Sequence, residues 1–169
     1  MEDKSYICGG NKFTYSKGYI ALPVEIAGLP ESVEIEGETL QKKSSFHVSL
    51  LCVKDILEKH GDLEKKILDF FCAFVKENDV SFVRYSGEFR LAKSGERKTL
   101  VALCEISNLK ELSESLGREL GFEIPPQPTH VTLYTLQPDV GIGLNSPADM
   151  KEKSAPVQVS ESLRRMFDK

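Results

Sequence analysis

Two short segments of the chain carry the same pair of side chains, a histidine followed two positions later by a hydroxyl residue. They are Phe46-His47-Val48-Ser49-Leu50 and Thr129-His130-Val131-Thr132-Leu133, and both are apolar and β-favouring around the pair. Because side chains alternate across a strand, each histidine should share a face with its hydroxyl partner, about 6 to 7 Å away. The chain has 3 histidines, so this pattern uses two of them.

Two imidazoles and two hydroxyls are suited to phosphodiester chemistry without a metal. In-line displacement at phosphorus needs a base to deprotonate the attacking oxygen and an acid on the other side to protonate the leaving oxygen. An imidazole, with a pKa of about 6.5, serves either role near neutral pH. The hydroxyls of Ser49 and Thr132 can donate to non-bridging phosphate oxygens. The residues therefore predict one shared phosphate site if folding brings the two segments together.

The elements predicted around the two motifs follow a similar order in both halves of the chain, which indicates an α+β protein. The predicted strands are 18–22, 33–36, 46–53, 80–85, 88–93, 98–106 and 129–135, and the predicted helices are 54–59, 62–77 and 109–120. Asp62 is the predicted N-cap of the long helix, and Ser86-Gly87 is a predicted turn between two strands. Pro23 is expected to end the first strand.

The charge balance limits the partners of this chain. With 169 residues and a formal net charge of -4, it does not resemble proteins that coat long nucleic acids, which use many Lys and Arg contacts to phosphates. A small or terminal phosphate remains an acceptable partner. Between Arg84 and Lys98 there are five basic residues and two glutamates. Such a stretch is usually a solvated surface, but Arg90 and Lys93 within it are our candidates for extra phosphate contacts.

The cysteines and the N-terminus predict a cytoplasmic protein. Cys8, Cys52, Cys72 and Cys104 form no Cys-x-x-Cys pair, and three of them are in apolar stretches, which is typical of reduced, buried thiols. The charged start Met1-Glu2-Asp3-Lys4-Ser5 leads to no apolar stretch of signal or membrane length. We therefore expect neither export nor membrane attachment.

The two motifs resemble the signature motifs of the two-histidine (2H) phosphoesterase superfamily, which includes LigT-like RNA ligases and cyclic nucleotide phosphodiesterases. The resemblance implies an α+β fold with two pseudo-symmetric lobes, each an antiparallel sheet with a packed helix, enclosing a central cleft. On this chain, residues 1–169 would be a single bilobal domain with approximate lobes 1–95 and 96–136. The tail, residues 137–169, aligns with no general feature of the family.

The same resemblance implies a metal-independent phosphodiesterase without a cofactor, acting on 2',3'-cyclic phosphates or 2'-5' linkages at nucleotide or RNA ends. His47 and His130 would be the acid and the base, in either order, with Ser49 and Thr132 as phosphate ligands. By alternation, Tyr134 shares the face of His130 and Thr132, where it would stack on a base or be a half-buried strand tyrosine. The natural substrate, hydrolysis or ligation, and the oligomeric state stay open.

Three other classes compete with this interpretation. A nucleotide or RNA-end binding module with the same cleft and no chemistry is the alternative function, although binding alone does not need two titrating groups. A zinc hydrolase using His47, Cys52, Asp55 and His130 is disfavoured because the ligand spacings typical of zinc are missing from the sequence. A serine nucleophile is disfavoured because no Gly-x-Ser-x-Gly is found. His60 is interpreted as a solvated residue or a helix C-terminal cap.

Overall fold

The computed structural model describes residues 4–8 and 12–168. Met1 to Asp3 of the charged N-terminal segment, and Lys169 of the tail, lie outside the described residues. Within them the protein is α+β, as predicted. The strands are β1 Lys4–Ile7, β2 Phe13–Ser16, β3 Tyr19–Val24, β4 Ser32–Ile35, β5 Glu38–Lys42, β6 Phe46–Cys52, β7 Phe82–Ser94, β8 Arg97–Ile106, β9 His130–Thr135 and β10 Ser154–Pro156. The helices are α1 Val53–His60, α2 Glu64–Glu77, α3 Leu109–Leu120, α4 Pro147–Lys153 and α5 Glu161–Met166.

The strands form one antiparallel sheet in which the two motif strands are neighbours. The order across the sheet is β1-β2-β3-β6-β9-β8-β7-β10, with β5 pairing β9 beside β6 and β4 pairing β5. One face of the sheet is covered by α2 and α3, whose amphipathic apolar residues share a single core with both motif strands. Representative buried members of that core are Ile67, Phe71, Leu112, Leu116, Val48 and Val131. The motif strands therefore have one fully buried face each.

Helix ends and strand breaks differ from the prediction at three places. Helix α2 begins at Glu64 with Leu63 as its N-cap residue, so Asp62 is not the cap. Pro23 does not end β3 but lies inside it, beyond the last residue that β3 pairs with β2, where a missing N–H is tolerated. Ser86-Gly87 is not a hairpin turn, because β7 runs through it and only shifts register against β8. Gly87, with φ of 93°, accommodates this irregularity.

The tail is part of the fold, and the expected lobe boundary after residue 95 cuts through a hairpin. Strand β10 pairs with β7, and α5 ends in the buried Phe167, whose ring packs edge-on against Tyr85 at 4.8 Å and Phe89 at 5.5 Å. Residues 95 and 96 form the turn between β7 and β8, which are paired along most of their length. Strand β7 therefore packs with the elements that follow residue 96.

The cysteine prediction is corrected for one pair. Cys8, just after β1, and Cys72, on α2, are joined by a disulfide, because packing of α2 against the sheet brings them together. Cys52 and Cys104 are free and buried, which agrees with the predicted reduced thiols. No helix in the described part of the chain is long and apolar enough to cross a membrane.

Candidate functional site

The two motifs meet on one face of the sheet. Strands β6 and β9 pair antiparallel with Val48 opposite Val131, and both valines are completely buried in the main core. Because neighbours in a strand point to opposite faces, the histidine and hydroxyl of each motif lie on the other side. These four side chains, here called the two-histidine cluster, are His47, Ser49, His130 and Thr132.

The pairing register brings the members of the two-histidine cluster close together. Val48 and Val131 are opposite each other in this antiparallel pair. The residues next to them are therefore also opposite each other: Ser49 faces His130, and His47 faces Thr132. The two histidines are then diagonal neighbours, with backbones about 7 to 8 Å apart, and each hydroxyl lies across the strand gap from the other motif's ring. Side chains in this arrangement can approach one tetrahedral anion from two sides.

The imidazole of His130 is held in one orientation. It is only 8% exposed, and its Nδ1 lies 2.9 Å from the carbonyl oxygen of Pro128. Because a carbonyl can only accept, Nδ1 carries the proton and Nε2 has the free lone pair. Burial lowers the pKa of His130, and the bond to Pro128 opposes that shift. The ring is therefore neutral and ready to accept a proton at Nε2.

His47 has a more open environment. Desolvation against the sheet is the largest cause that lowers its pKa, followed by the positive charge of Lys43, by His130 and by Lys17. The residue is nevertheless exposed, so solvent moderates both the desolvation and the effect of the neighbouring positive groups. A bound anion would reverse these effects and favour the protonated ring.

The two hydroxyls of the cluster are free to bind a ligand. Ser49 and Thr132 are half-buried, and neither side chain has a hydrogen-bond partner within residues 4–8 and 12–168. A hydroxyl that is bonded to no protein group can rotate its proton towards an incoming oxygen. Two imidazoles and two such donors therefore point to an oxyanion as the ligand.

Lys43 is a charged residue of the site that the sequence prediction missed. It lies between β5 and β6, where its backbone N–H donates to the Leu133 carbonyl at 2.9 Å. Its neighbour Lys42 is opposite Tyr134 on the core face, so Lys43 points to the cluster's face, consistent with its effect on His47. Lys43 is half-buried, and desolvation lowers its pKa, while Asp139 raises it.

Asp139 fixes the chain next to Lys43. Its carboxylate accepts from the Ser44 N–H at 3.1 Å and from the Ser44 hydroxyl at 3.1 and 3.2 Å, which lowers the pKa of Asp139 together with the charges of Lys43 and Lys17. The only sequence signal for this arrangement is the Lys42-Lys43 doublet just before the first motif. Its orientation depends on the register between β5 and β9, which cannot be read from the sequence.

The structure corrects the placement of Tyr134. Strand β9 pairs Thr132 with Val101 and Tyr134 with Leu100, so Leu133 is an extra residue and the alternation is interrupted by a bulge. Tyr134 therefore turns to the core face, where it is fully buried and its hydroxyl donates to the Pro30 carbonyl at 2.8 Å. It is a core tyrosine and presents no ring surface for stacking.

The structure does not bring Arg90 or Lys93 to the cluster as free cations. Arg90 is on the cluster's face but two strands away, and its guanidinium donates to Ser154 Oγ at 2.8 Å and pairs with Glu88 at 2.8 Å. It holds β10 against β7. Lys93 alternates with the core residue Leu91, so it lies on the opposite face, where it pairs with Glu36 at 3.0 Å.

Two further predictions concern metals and His60. Within the described ranges, no group of three or more His, Cys, Asp or Glu side chains is arranged to hold a metal ion. His60 is the exposed last residue of α1, and its ring stacks on Phe122 at a centroid distance of 3.6 Å. It therefore lies outside the two-histidine cluster.

Comparisons of the chain with family models, curated proteins and solved structures found no match. The interpretation of the site accordingly depends on the chemistry of the cluster and on the pairing of β6 with β9. Both can be tested on the protein directly.

Proposed function

We propose that the protein is a metal-independent phosphodiesterase of the two-histidine type, acting on 2',3'-cyclic phosphate or 2'-5' linked ends of nucleotides or RNA. The observation that carries the proposal is the position of two His-x-Ser/Thr motifs on adjacent strands with all four polar side chains on one face. Binding of an anion alone does not require two titratable rings, whereas proton transfer at both ends of a displacement does.

In the proposed reaction His130 is the base. Its Nε2 removes a proton from water, the water oxygen forms a bond to phosphorus, and the imidazolium that results is stabilised by the Pro128 carbonyl. The bond from phosphorus to the leaving ribose oxygen breaks, and that oxygen takes a proton from His47. The negative charge of the bound phosphate favours the protonated form of His47 before the attack.

The remaining residues of the site would bind the non-bridging oxygens. The hydroxyls of Ser49 and Thr132 donate to them, and the Lys43 ammonium balances the charge that develops in the transition state. Loss of one such bond to a charged group costs about 1.5 to 3 kcal/mol. The site therefore has a donor for each side of the phosphate as well as the acid and base.

We also propose that the sheet is two pseudo-symmetric halves of a LigT-like fold that meet at the motif strands. The strand order supports this division, since β1-β2-β3-β6 lies on one side of the boundary and β9-β8-β7-β10 on the other. Each motif strand is then the inner strand of a four-stranded half. This division places β7 in the second half, whereas the lobe boundaries expected from the sequence place it in the first lobe, residues 1–95.

The test of the proposed function is turnover of a 2',3'-cyclic nucleotide by protein treated with EDTA. We expect hydrolysis to continue in EDTA, and replacement of either His47 or His130 by Ala to lower the rate by about 10² to 10⁴. Lys65→Ala is the control and should keep full activity, because Lys65 is an exposed residue of α2, which covers the other face of the sheet. Binding of the cyclic nucleotide without product would favour the alternative, a nucleotide or RNA-end binding module.

A further inference from the structure

A cavity of about 260 Å³ lies where β6 ends, and its lining contains none of the four residues of the two-histidine cluster. Its lining includes Cys52, three residues after Ser49 on β6, and Gln127, three residues before His130. Tyr19 alternates with Ala21, which is paired with Ser49, and its hydroxyl donates to Asn145 on the cavity wall at 3.1 Å. The cavity therefore lies on the same face of the sheet as the two-histidine cluster, near the end of β6.

The cavity wall combines apolar surface with an excess of hydrogen-bond acceptors. Ile56, Phe122 and Ile124 contribute the apolar part. The charged part consists of the carboxylates of Asp55, Glu123 and Asp149 against the ammonium of Lys59 and the exposed His60. A flat, neutral ring that carries hydrogen-bond donors suits this wall, whereas a second phosphate would be repelled by the carboxylates.

Gln127 adds a hydrogen-bond acceptor to the cavity wall. The side chain is only 7% exposed, and its Nε2 donates to the Leu144 carbonyl at 2.9 Å. Its Oε1 has no donor among the residues that the structure describes. This oxygen is not one of the fully buried atoms that lack a partner, so it is open to the cavity and can accept a hydrogen bond from a donor group of a ligand.

Asp55 is the carboxylate best placed to receive such a donor. It lies in the first turn of α1, one of its oxygens is 3.4 Å from the Asn145 side-chain nitrogen, and its carboxylate also accepts from the Cys52 thiol, which is a weak donor. Asp149, by comparison, already accepts from the Asn145 N–H at 3.0 Å and lies near Lys153. Asp55 is held only by a long bond and a weak one, so an N–H donor of a ligand can compete for its carboxylate.

We propose that this cavity binds a nucleobase with an exocyclic amino group while the phosphate of the same nucleotide lies at the two-histidine cluster. The inference rests on the proposed function for the identity of the phosphate partner. Cytosine, adenine and guanine donate from that amine to Asp55 or Gln127, and the apolar wall covers the ring. Uracil has a carbonyl oxygen where cytosine has its amine, and beside a carboxylate two acceptors repel each other.

The test compares cytidine 2',3'-cyclic phosphate with uridine 2',3'-cyclic phosphate. We expect a KM about tenfold lower for the cytidine compound, the ratio for one hydrogen bond to a charged group, with similar kcat. Asp55→Asn should bring the two KM values close together without changing kcat for uridine. Glu58→Gln is the matched control, because Glu58 is an exposed carboxylate of the same helix outside the cavity.

A second measurement separates this inference from the proposed function. The nucleosides cytidine and uridine have no phosphate, and their binding can be followed by the NMR signals of the Asn145 and Gln127 side-chain amides. Shifts with cytidine that Asp55→Asn abolishes support the cavity even if no cyclic nucleotide is hydrolysed. Hydrolysis with equal KM for both bases, or a cytidine preference that survives Asp55→Asn, would overturn the proposal that the cavity binds the base. The proposed phosphodiesterase activity would stand.

Discussion

At the scale of single residues, the site depends on a neutral histidine held by a carbonyl and on a second histidine surrounded by positive groups. His130 donates from Nδ1 to Pro128, while His47 is near Lys43 and Lys17. Both surroundings disfavour a proton in the free protein, chiefly by desolvation, and at His47 the charges of Lys43 and Lys17 add to that effect. A bound anion favours the proton on both rings, and at His47, the more exposed of the two, it also offsets the charges of Lys43 and Lys17, which suits His47 to the role of the acid.

Lys43 should bind the anion and lower the pKa of His47. Replacing it by Met keeps the length of the side chain and removes the charge, so the pKa of His47 should rise and the KM for a 2',3'-cyclic nucleotide should increase about tenfold. Lys42→Met is the control, because Lys42 is on the core face and pairs with Glu31 at 3.1 Å. Equal effects of both substitutions would show that Lys43 does not bind the anion.

Burial of His130 predicts a loss of stability in acid. The unfolded chain takes up the proton on this ring near pH 6.5, whereas the folded protein binds it only at lower pH. The stabilisation is therefore complete above about pH 6.5 and is lost as the pH falls below that value. Urea unfolding at pH 7.5 and 5.5 should show this decrease for the wild type and a smaller one for His130→Gln. An unchanged dependence in the variant would mean that His130 titrates normally.

At the scale of elements, the period of the hydrophobic residues and the local composition predict where strands and helices form. They predict less well how these elements pair and pack. Strand β6, strand β9 and helix α3 with its C-cap Gly121 were predicted closely, because their apolar runs and cap residues are local signals. The faces of the four motif side chains also follow from alternation. Local signals do not determine register, so the adjacency of β6 and β9 required the folded sheet.

The wrong assignments at this scale come from interrupted alternation. A bulge at Leu133 turns Tyr134 from the cluster to the core, and Gly87 lets β7 continue through a pair of residues that is typical of a turn. The bulge in β9 depends on the pairing with β8, and no glycine in that segment indicates it, whereas Gly87 is a residue that can mark a bulge in β7. Arg90 lies on the cluster's face, but its guanidinium is occupied by Ser154 of the tail, which the sequence could not place.

The disulfide that joins the end of β1 to α2 predicts that stability depends on whether the protein is oxidised or reduced. The Cys8–Cys72 disulfide spans a sequence separation of 64 residues, so reduction should lower the free energy of unfolding by about 4 kcal/mol. Thiol labelling of the denatured, non-reduced protein should modify two cysteines, Cys52 and Cys104, and labelling after reduction should modify four. Four reactive thiols before reduction would contradict the pairing.

At the scale of the whole molecule, the arrangement explains how residues far apart in sequence form one site. Each motif strand is backed by the same core, and the two strands are adjacent, so no relative movement of the halves is needed to bring the histidines together.

The disulfide also bears on the predicted cytoplasmic location. The disulfide counts against it, because such bonds are rare in reducing compartments.

The most direct measurement of the central claim is an NMR titration of the three histidine rings with and without inorganic phosphate. If His47 and His130 face one anion, phosphate should shift the signals of both rings and raise the pKa of both, while the signals of His60, stacked on Phe122, stay in place. A response from only one ring of the cluster, or from neither, would contradict a shared phosphate site.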